Sequence, residues 1–378
     1  MLVHLVGWCL TGLALCSAGY ALIVSGFVLR FGAGSDESGI AEPVTILKPL
    51  HLDEPGLPEA LATFLKQSYG APVQVVFGIQ DPSDPAIGVV KRLIRDNPGA
   101  DIELVVDARQ HGTNRKVSNL VNMMRAARHD VVVISDSDIS VAPDWLSRVI
   151  GALSGARVGA VSCLYAGKVN GNGWATLAAM GTSYEFLPNV IAALSFGLAK
   201  PCFGSTIAIR RGTLDAIGGF RAFADKLADD YEIGHAVRAM GLEVAIPPFA
   251  VAHGNAERDW TDLYRHEVRW NRTTHVIDPL GHTLSFITYA VPLAILALLL
   301  SRFSLPTESV LVLTVVSRLC LKWSTEKKFA LYAGPSWALP VRDVLSFVVF
   351  LLSFFAEDVH WRGSRFAVSS SGLLRSQS

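Results

Sequence analysis

Val131–Ser140 reads VVVISDSDIS, four β-branched residues running straight into two carboxylates one residue apart, Asp136 and Asp138. A short apolar run without alternation is the mark of a strand buried on both faces, as in parallel sheets covered by helices. Similar runs recur on either side, at Val44–Lys48, Val73–Ile79, Ile102–Val106 and Val158–Cys163. Helix-like stretches lie between them, at Pro58–Lys66, Pro85–Arg95, Lys116–Arg128 and Pro143–Leu153. Strands alternating with helices predict an α/β fold with a mostly parallel sheet. Ligands of such sheets bind beyond the carboxyl ends of the strands, where Asp136 and Asp138 are expected to lie.

Away from this region the chain turns apolar. The 378 residues are 51% hydrophobic and 17% charged, with a mean hydropathy of +0.37. Soluble domains carry about 25% charged residues, so this composition points to membrane content. Lys+Arg and Asp+Glu balance at 33 each, which excludes a nucleic-acid binder working by bulk charge and an acidic disordered chain. Cys9, Cys16, Cys163, Cys202 and Cys320 form neither a disulfide framework nor a CxxC metal spacing.

Leu5–Leu29 has no charged residue and is closed by Arg30. That run exceeds the ~20 residues needed to cross about 30 Å of hydrocarbon, and it lacks the basic start and short core of a signal peptide. Three further apolar stretches follow at Thr283–Ser301, Ser309–Leu321 and Val344–Phe355, the second interrupted by Arg318 and the third short. Lys322, Lys327, Lys328 and Arg342 read as a basic loop, and with Arg30 they place the central region on the cytoplasmic side. The expected organisation is an N-terminal anchor (1–30), a cytoplasmic catalytic domain (31–282), a C-terminal membrane region (283–358) with two to three transmembrane or interfacial helices, and a basic, serine-containing tail (359–378).

Three sets of carboxylates carry chemistry. Asp81 and Asp84 follow the second strand in QDPSDPAI, where a Pro/Asp turn is a sufficient explanation. Asp136 and Asp138 can hold a hard divalent cation against phosphate oxygens. Asp229 and Asp230, in LADDYEIG, open a helix, where acids also serve as caps. A haloacid-dehalogenase-type magnesium phosphatase and a nucleotide-sugar glycosyltransferase both use such parts. The phosphatase pattern puts its DxD on the first strand, whereas three strands precede this one, and it has no use for HEVRW at His266–Trp270. A non-catalytic nucleotide-sugar-binding membrane protein is the reading outside the enzymes.

In order, the stretches ILKPL (Ile46–Leu50), QDPSDPAI (Gln80–Ile87), NRKVSNL (Asn114–Leu120), ISDSDI (Ile134–Ile139), CFGSTIAIRR (Cys202–Arg211), LADDYEIG (Leu227–Gly234) and HEVRW give the chain a family resemblance. It resembles the membrane glycosyltransferases typified by ceramide glucosyltransferase and the related bacterial hopanoid-biosynthesis enzymes, over nearly its whole length. The resemblance implies a nucleotide-sugar-binding (GT-A-like) domain and transfer of a hexose, glucose or N-acetylglucosamine, from a UDP-sugar to a hydroxyl of a membrane lipid such as ceramide or a hopanoid polyol. It implies Mg²⁺ or Mn²⁺ at Asp136 and Asp138, donor contacts from Asp81, Asp84, Lys116 and Asp136, and Asp230 as the base. Arg269 and Trp270 match the (Q/R)xxRW signature, with His266 standing where Gln or Arg is usual. Gly204, Ser205 and His266 fall on the acceptor side. The partners implied are the donor, the lipid acceptor and the bilayer, with no nucleic acid. A multi-pass membrane protein is expected, in the inner membrane if the source is bacterial. His253, on the apolar stretch PPFAVAHGN, reads as structural.

Overall fold

A computed structural model describes residues 2–32, 39–52 and 54–355, with the backbone of three short C-terminal strands; the serine tract Ser369–Ser371 lies outside the described residues. The chain divides into two compact units. One is helical and comprises Met1–Phe31, Ala166–Ala199 and Glu257–Arg365. The other comprises Gly32–Tyr165, Lys200–Ala256 and Phe366–Ser378 and carries the sheet.

In the sheet unit, strands β1 (Val44–Pro49), β2 (Val73–Ile79), β3 (Asp101–Val106) and β4 (Val131–Ile134) alternate with helices α2 (Leu57–Leu65), α3 (Ala86–Asp96), α4 (Arg115–Met123) and α5 (Trp145–Leu153); α1 (Leu2–Arg30) is the N-terminal helix of the other unit. After β5 (Ile139–Ser140) come β6 (Val158–Ser162), β7 (Leu164–Val169), β8 (Ile207–Arg210), β9 (Glu243–Ala245) and β10 (Ala250–Asn255). The seven-stranded sheet has the order β3-β2-β1-β4-β8-β6-β9. β1 pairs in parallel with both β2 and β4, and β2 with β3. The one antiparallel strand is β8, set between β4 and β6. The mostly parallel α/β sheet expected from the alternation is therefore present, with one inserted antiparallel strand that the alternation does not announce.

Alternate residues of β4 explain why its sequence carries no polar face. Val131 and Val133 pack with Leu61 and Phe64 of α2 and Val149 and Ile150 of α5. Val132 and Ile134 point to the other side, among Val117 and Leu120 of α4 and Ile233 and Val237 of α9 (Asp229–Ala239). Both faces are covered, so each strand residue is withdrawn from water, worth about 1.5–3 kcal/mol for a Val or Ile side chain.

The helical unit contains α6 (Gly173–Gly181), a π-helical turn Thr182–Phe186, α7 (Leu187–Ser195), α10 (Trp260–Ile277), α11 (Pro279–Leu284), α12 (Ala290–Leu300), α13 (Leu305–Phe329) and α14 (Leu339–Ser353); the short α8 (Arg211–Ala216) belongs to the sheet unit. Helix α1 packs along α12 and α13 through a stripe of small residues, Ala14, Ala18 and Ala21, all buried. Such stripes let helix backbones approach closely in lipid. Two helices are long and apolar enough to cross a membrane, Val3–Arg30 and Ser336–Ser353. Pro279–Thr288 and Ala290–Leu300 make a third only if this pair, bent by 63°, is one span. So Thr283–Ser301 is not one straight crossing, and the stretch read as short at Val344–Phe355 belongs to a longer helix that starts upstream.

The basic loop expected at Lys322–Arg342 is corrected. Lys322, Lys327 and Lys328 lie within α13 and Arg342 within α14. Lys322 is buried against Glu326 at 2.6 Å, and Arg318, read as an interruption, makes two 2.8 Å bonds to Asp343. A buried charge persists only when paired, and these partners are what sequence spacing does not reveal.

Candidate active site at the carboxyl edge of the sheet

Because β1, β2 and β4 are parallel and in register, Lys48, Gln80–Asp84 and Ser135–Asp138 emerge along one edge of the sheet. β8 runs the other way, Ile207 pairing with Ile134, so the segment just before it, Gly204–Thr206, arrives at the same edge. Asp136 N–H donates to the Gly204 carbonyl at 3.3 Å, which stitches the DSD turn to CFGST.

Lys116 is the centre of the site. Asn114 caps α4 by accepting from Val117 N–H at 3.1 Å, and its Nδ2 donates to Asp229 Oδ1 at 3.1 Å. This cap directs Lys116, two residues on, into the site, where its Nζ lies 2.6 Å from Asp136 Oδ1 and 3.6 Å from Asp229 Oδ2. Burial alone would lower the ammonium's pKa, but Asp136, Asp229 and Asp230 more than offset it and hold it above the usual lysine value. Gly204 borders this group closely: a Cβ there would stand 2.6 Å from Lys116 Nζ and 2.8 Å from Asp136 Oδ2. Only glycine fits.

The two acids of LADDYEIG differ in surroundings. Asp229 is buried and does not cap its helix; the N-cap is Ala228 and the Asp229 carboxylate faces Asn114 and Lys116. Asp230, partly exposed, accepts from Gly204 N–H at 2.9 Å and from Tyr231 N–H at 2.8 Å. Burial and the neighbouring Asp229 push its carboxyl up to about 6. The nearby Cys202 thiol is pushed up to about 12, first by burial and then by Asp230, which leaves it a poor nucleophile.

Two residues without an assigned role join the site. Lys48, fully buried, donates to the Asp136 carbonyl and to Ser135 Oγ at 3.4 Å, and its Nζ sits 3.9 Å from the Phe64 ring centroid. Burial pulls its pKa down to about 7 against the attraction of Asp138, Asp136 and Glu54. His253, read as structural, places Nε2 3.3 Å from Asp138 Oδ2, because β10 pairs with β5 and sets His253 opposite Ile139. A lysine inside the apolar run VTILKPL was a visible signal; nothing local marked His253.

The remaining predicted site residues, on the donor, acceptor and catalytic sides, divide. Asp84 is buried and holds the loop together, accepting from Leu52 N–H at 2.9 Å and Ala86 N–H at 2.9 Å. Asp81 is exposed and accepts from Ser83 N–H at 2.8 Å. Ser205 is buried and donates to the Cys163 carbonyl at 2.8 Å, so its hydroxyl is turned into the fold. His266, Arg269 and Trp270 lie in the helical unit, on α10. There His266 Nδ1 is 2.6 Å from Glu257 Oε1, and the Trp270 ring stands edge-on to His266 with centroids 4.5 Å apart.

The model of Glycosyl transferase family 21 matches residues 9–374. The chain belongs to glycosyl transferase family 21. Among curated proteins it is similar to ceramide glucosyltransferase 1 of Caenorhabditis elegans, 26% identical over 230 residues, covering 60% of this chain and 48% of that one. It is 32% identical to ceramide glucosyltransferase of Gibberella zeae over 134 residues, 33% of this chain and 25% of the relative. The chain thus spans about half the length of the first and a quarter of the second. Among solved structures, the mannosyltransferase PcManGT from Pyrobaculum calidifontis, in complex with GDP-Man and Mn²⁺, has a TM-score of 0.57 at 21% identity, covering 93% of this chain and 99% of that one. That similarity establishes a GT-A-like fold.

Proposed function

We propose that the chain is a metal-dependent, inverting glycosyltransferase that moves a hexose from a UDP-sugar to a hydroxyl of a membrane lipid such as ceramide or a hopanoid polyol. The observation that carries this reading is the grouping of Lys116, Asp136 and the Asp229–Asp230 pair at the carboxyl edge of a GT-A-like sheet. The family membership and the ceramide glucosyltransferase relatives support the lipid acceptor, and they set the phosphatase alternative aside.

The donor set fits a divalent cation. Among the described residues no three His, Cys, Asp or Glu side chains converge to cage an ion, so an ion held there by Asp136 and Asp138 would complete its shell with substrate oxygens or water. Mg²⁺ is commonly bound by one or two carboxylates plus phosphate oxygens, and Asp136 and Asp138 are such a pair, with the His253 imidazole beside Asp138. When bound, the cation supplies charge neutralisation for the departing diphosphate. Lys116 would meet the same diphosphate from the donor side and Asp81 the uridine; Arg269 and Trp270 are assigned to transfer on their match to the family's signature, HEVRW. Asp230 would accept the proton of the lipid hydroxyl, its raised pKa suiting a base that works near neutrality. No residue is asked to form a covalent intermediate.

Arg30 at the end of α1, and Lys327 and Lys328 in the last turn of α13, support a cytoplasmic position for the catalytic region 31–282. The test is transfer in washed membranes of cells expressing the chain, with radiolabelled UDP-glucose and UDP-N-acetylglucosamine and with ceramide or a hopanoid polyol added. A labelled lipid found only with the expressed chain is expected; absence of label with every donor–acceptor pair refutes the reading.

A further inference from the structure

Between His266 and Arg269 of HEVRW stands an acid with no part in the reading above. Glu267 is buried in the helical unit, and Arg342 of α14 donates from Nη1 to its Oε1 at 2.6 Å. Both side chains are nearly withdrawn from solvent, at 11% and 6% exposure.

The surroundings are built to seat this arginine. Gly181, the last residue of α6, lies under the guanidinium, where a Cβ would stand 2.2 Å from Arg342 Nη2. The turn that follows is π-helical, a rare form that appears mostly as single turns inside α-helices and is frequent at functional sites. Its residues serve the same neighbourhood. The Tyr184 carbonyl accepts from Arg318 Nη1 at 3.0 Å, Glu185 accepts from Ser346 of α14, and the Phe186 ring packs 6.2 Å from that of Trp270. Arg318 is in turn held by Asp343, next to Arg342 in α14.

We propose that Arg342 is a positioning residue for sugar transfer, its bond to Glu267 setting the rotation of α10 and so the directions in which Arg269 and Trp270 project. The inference rests on Arg269 and Trp270 acting in transfer as proposed above. The geometry follows from helix periodicity. Successive residues turn by about 100°, so Glu267 and Arg269 project roughly 160° apart. With Glu267 held against α14, Arg269 is held on the opposite side of the helix. A buried ion pair adds little stability over well-packed apolar residues, but it tolerates one arrangement. Rotation of α10 by one residue would part the buried Glu267 from its arginine, whereas an apolar contact would merely repack.

The test uses the full chain in lipid nanodiscs with UDP-glucose, Mn²⁺ and ceramide. The variants are Glu267→Gln, Arg342→Gln, the charge-keeping Arg342→Lys, and the exchanged pair Glu267→Arg/Arg342→Glu. Turnover is read per folded molecule, beside UDP affinity by calorimetry and deuterium uptake across α10. The Gln variants should lose turnover on the order of 10- to 100-fold, as expected for a displaced catalytic group, with UDP affinity unchanged. Arg342→Lys should keep more activity than Arg342→Gln, and the exchanged pair should regain most of the loss. Should Arg342→Gln not fold, Glu267→Gln and Arg342→Lys carry the comparison. Wild-type turnover per folded molecule in Glu267→Gln, with only yield or thermal stability reduced, overturns the proposal, as does an exchanged pair that recovers nothing. If the unaltered chain transfers no sugar with any of the donor–acceptor pairs named above, the functional reading fails by itself. Unchanged deuterium uptake of α10 in Glu267→Gln would then overturn the positioning claim as well, while faster uptake reversed by the exchanged pair would uphold the rotational lock.

Discussion

Asp230→Asn separates base catalysis from donor binding. In the native site both carboxylate oxygens accept a backbone N–H, from Gly204 at 2.9 Å and Tyr231 at 2.8 Å. An amide can accept only one of these, and the N–H left over costs roughly 1–3 kcal/mol of stability. The chemical loss should be larger. With a carboxyl pushed up to about 6, most of Asp230 is ionised at pH 7 in the wild type. Removing a general base typically costs ~10²- to 10⁴-fold, or about 3–5 kcal/mol of transition-state stabilisation. The active form is the deprotonated one, so wild-type turnover should rise with pH through about 6 and then level off. In Asp230→Asn that limb should vanish along with most of the rate. UDP affinity, measured by calorimetry with Mn²⁺, should change little. Asp229→Asn is the informative partner, because Asp229 raises the Asp230 pKa and also faces Lys116. It should move the limb to lower pH and cost stability through Asn114. Near-normal turnover in Asp230→Asn with an inactive Asp229→Asn would move the base by one residue; a limb near pH 6 that survives in Asp230→Asn would refute it as the titrating group.

Three other outcomes are expected. Chelation with EDTA should abolish transfer and Mn²⁺ or Mg²⁺ should restore it; full turnover with elemental analysis showing no bound metal would exclude the role given to Asp136 and Asp138. A cysteine at the exposed Ser154 should resist an impermeant thiol reagent on intact cells and react in inverted vesicles, and labelling from outside would reverse the assigned sidedness. Lys48→Met should remove a pH dependence of stability. The folded chain releases the Lys48 proton near 7 while the unfolded chain holds it to about 10.5, so wild type gains stability between those values, by up to ~5 kcal/mol, relative to the variant. Parallel stability–pH curves for the two proteins would show that Lys48 stays charged in the fold.

Much of the sheet unit was legible because its strands are local and apolar on both faces. Val73–Ile79 appears with the bounds its sequence predicts, and the runs at Val44–Lys48, Ile102–Val106 and Val158–Cys163 each differ by a residue at an end. The helix expected over Lys116–Arg128 stops at Met123 for a non-local reason: Arg128 N–H donates to Gln74 Oε1 at 3.0 Å and Thr45 Oγ1 at 3.2 Å, turning the chain toward β4. β8 escaped because IAIR is four residues long and its place depends on pairing with β4 across 73 to 79 positions of chain, from Ile134 with Ile207 to Val131 with Arg210, a separation no window sees. The terminal helices failed differently. Hydropathy counts Arg318 and Arg342 as costs, yet each is balanced by an acid distant in sequence, Asp343 and Glu267.

The site shows the same division within a single dipeptide. Asp136 and Asp138 could be found because a strand with no polar residue runs into them, and acids in that place need an explanation. Asp229 and Asp230 offer no such contrast, since two acids at a helix start are adequately explained by the helix dipole. Their different fates come from rotation. Consecutive helix residues project about 100° apart, and the setting of α9 is fixed by Ile233 and Val237, which pack into the layer that covers Val132 and Ile134. With those two side chains inward, Asp229 meets Asn114 and Lys116 while Asp230 meets the Gly204 amide. Which acid faces Lys116 and which the Gly204 amide is therefore decided by apolar residues one and two turns further along the helix, acting through packing rather than through any property of the acids themselves.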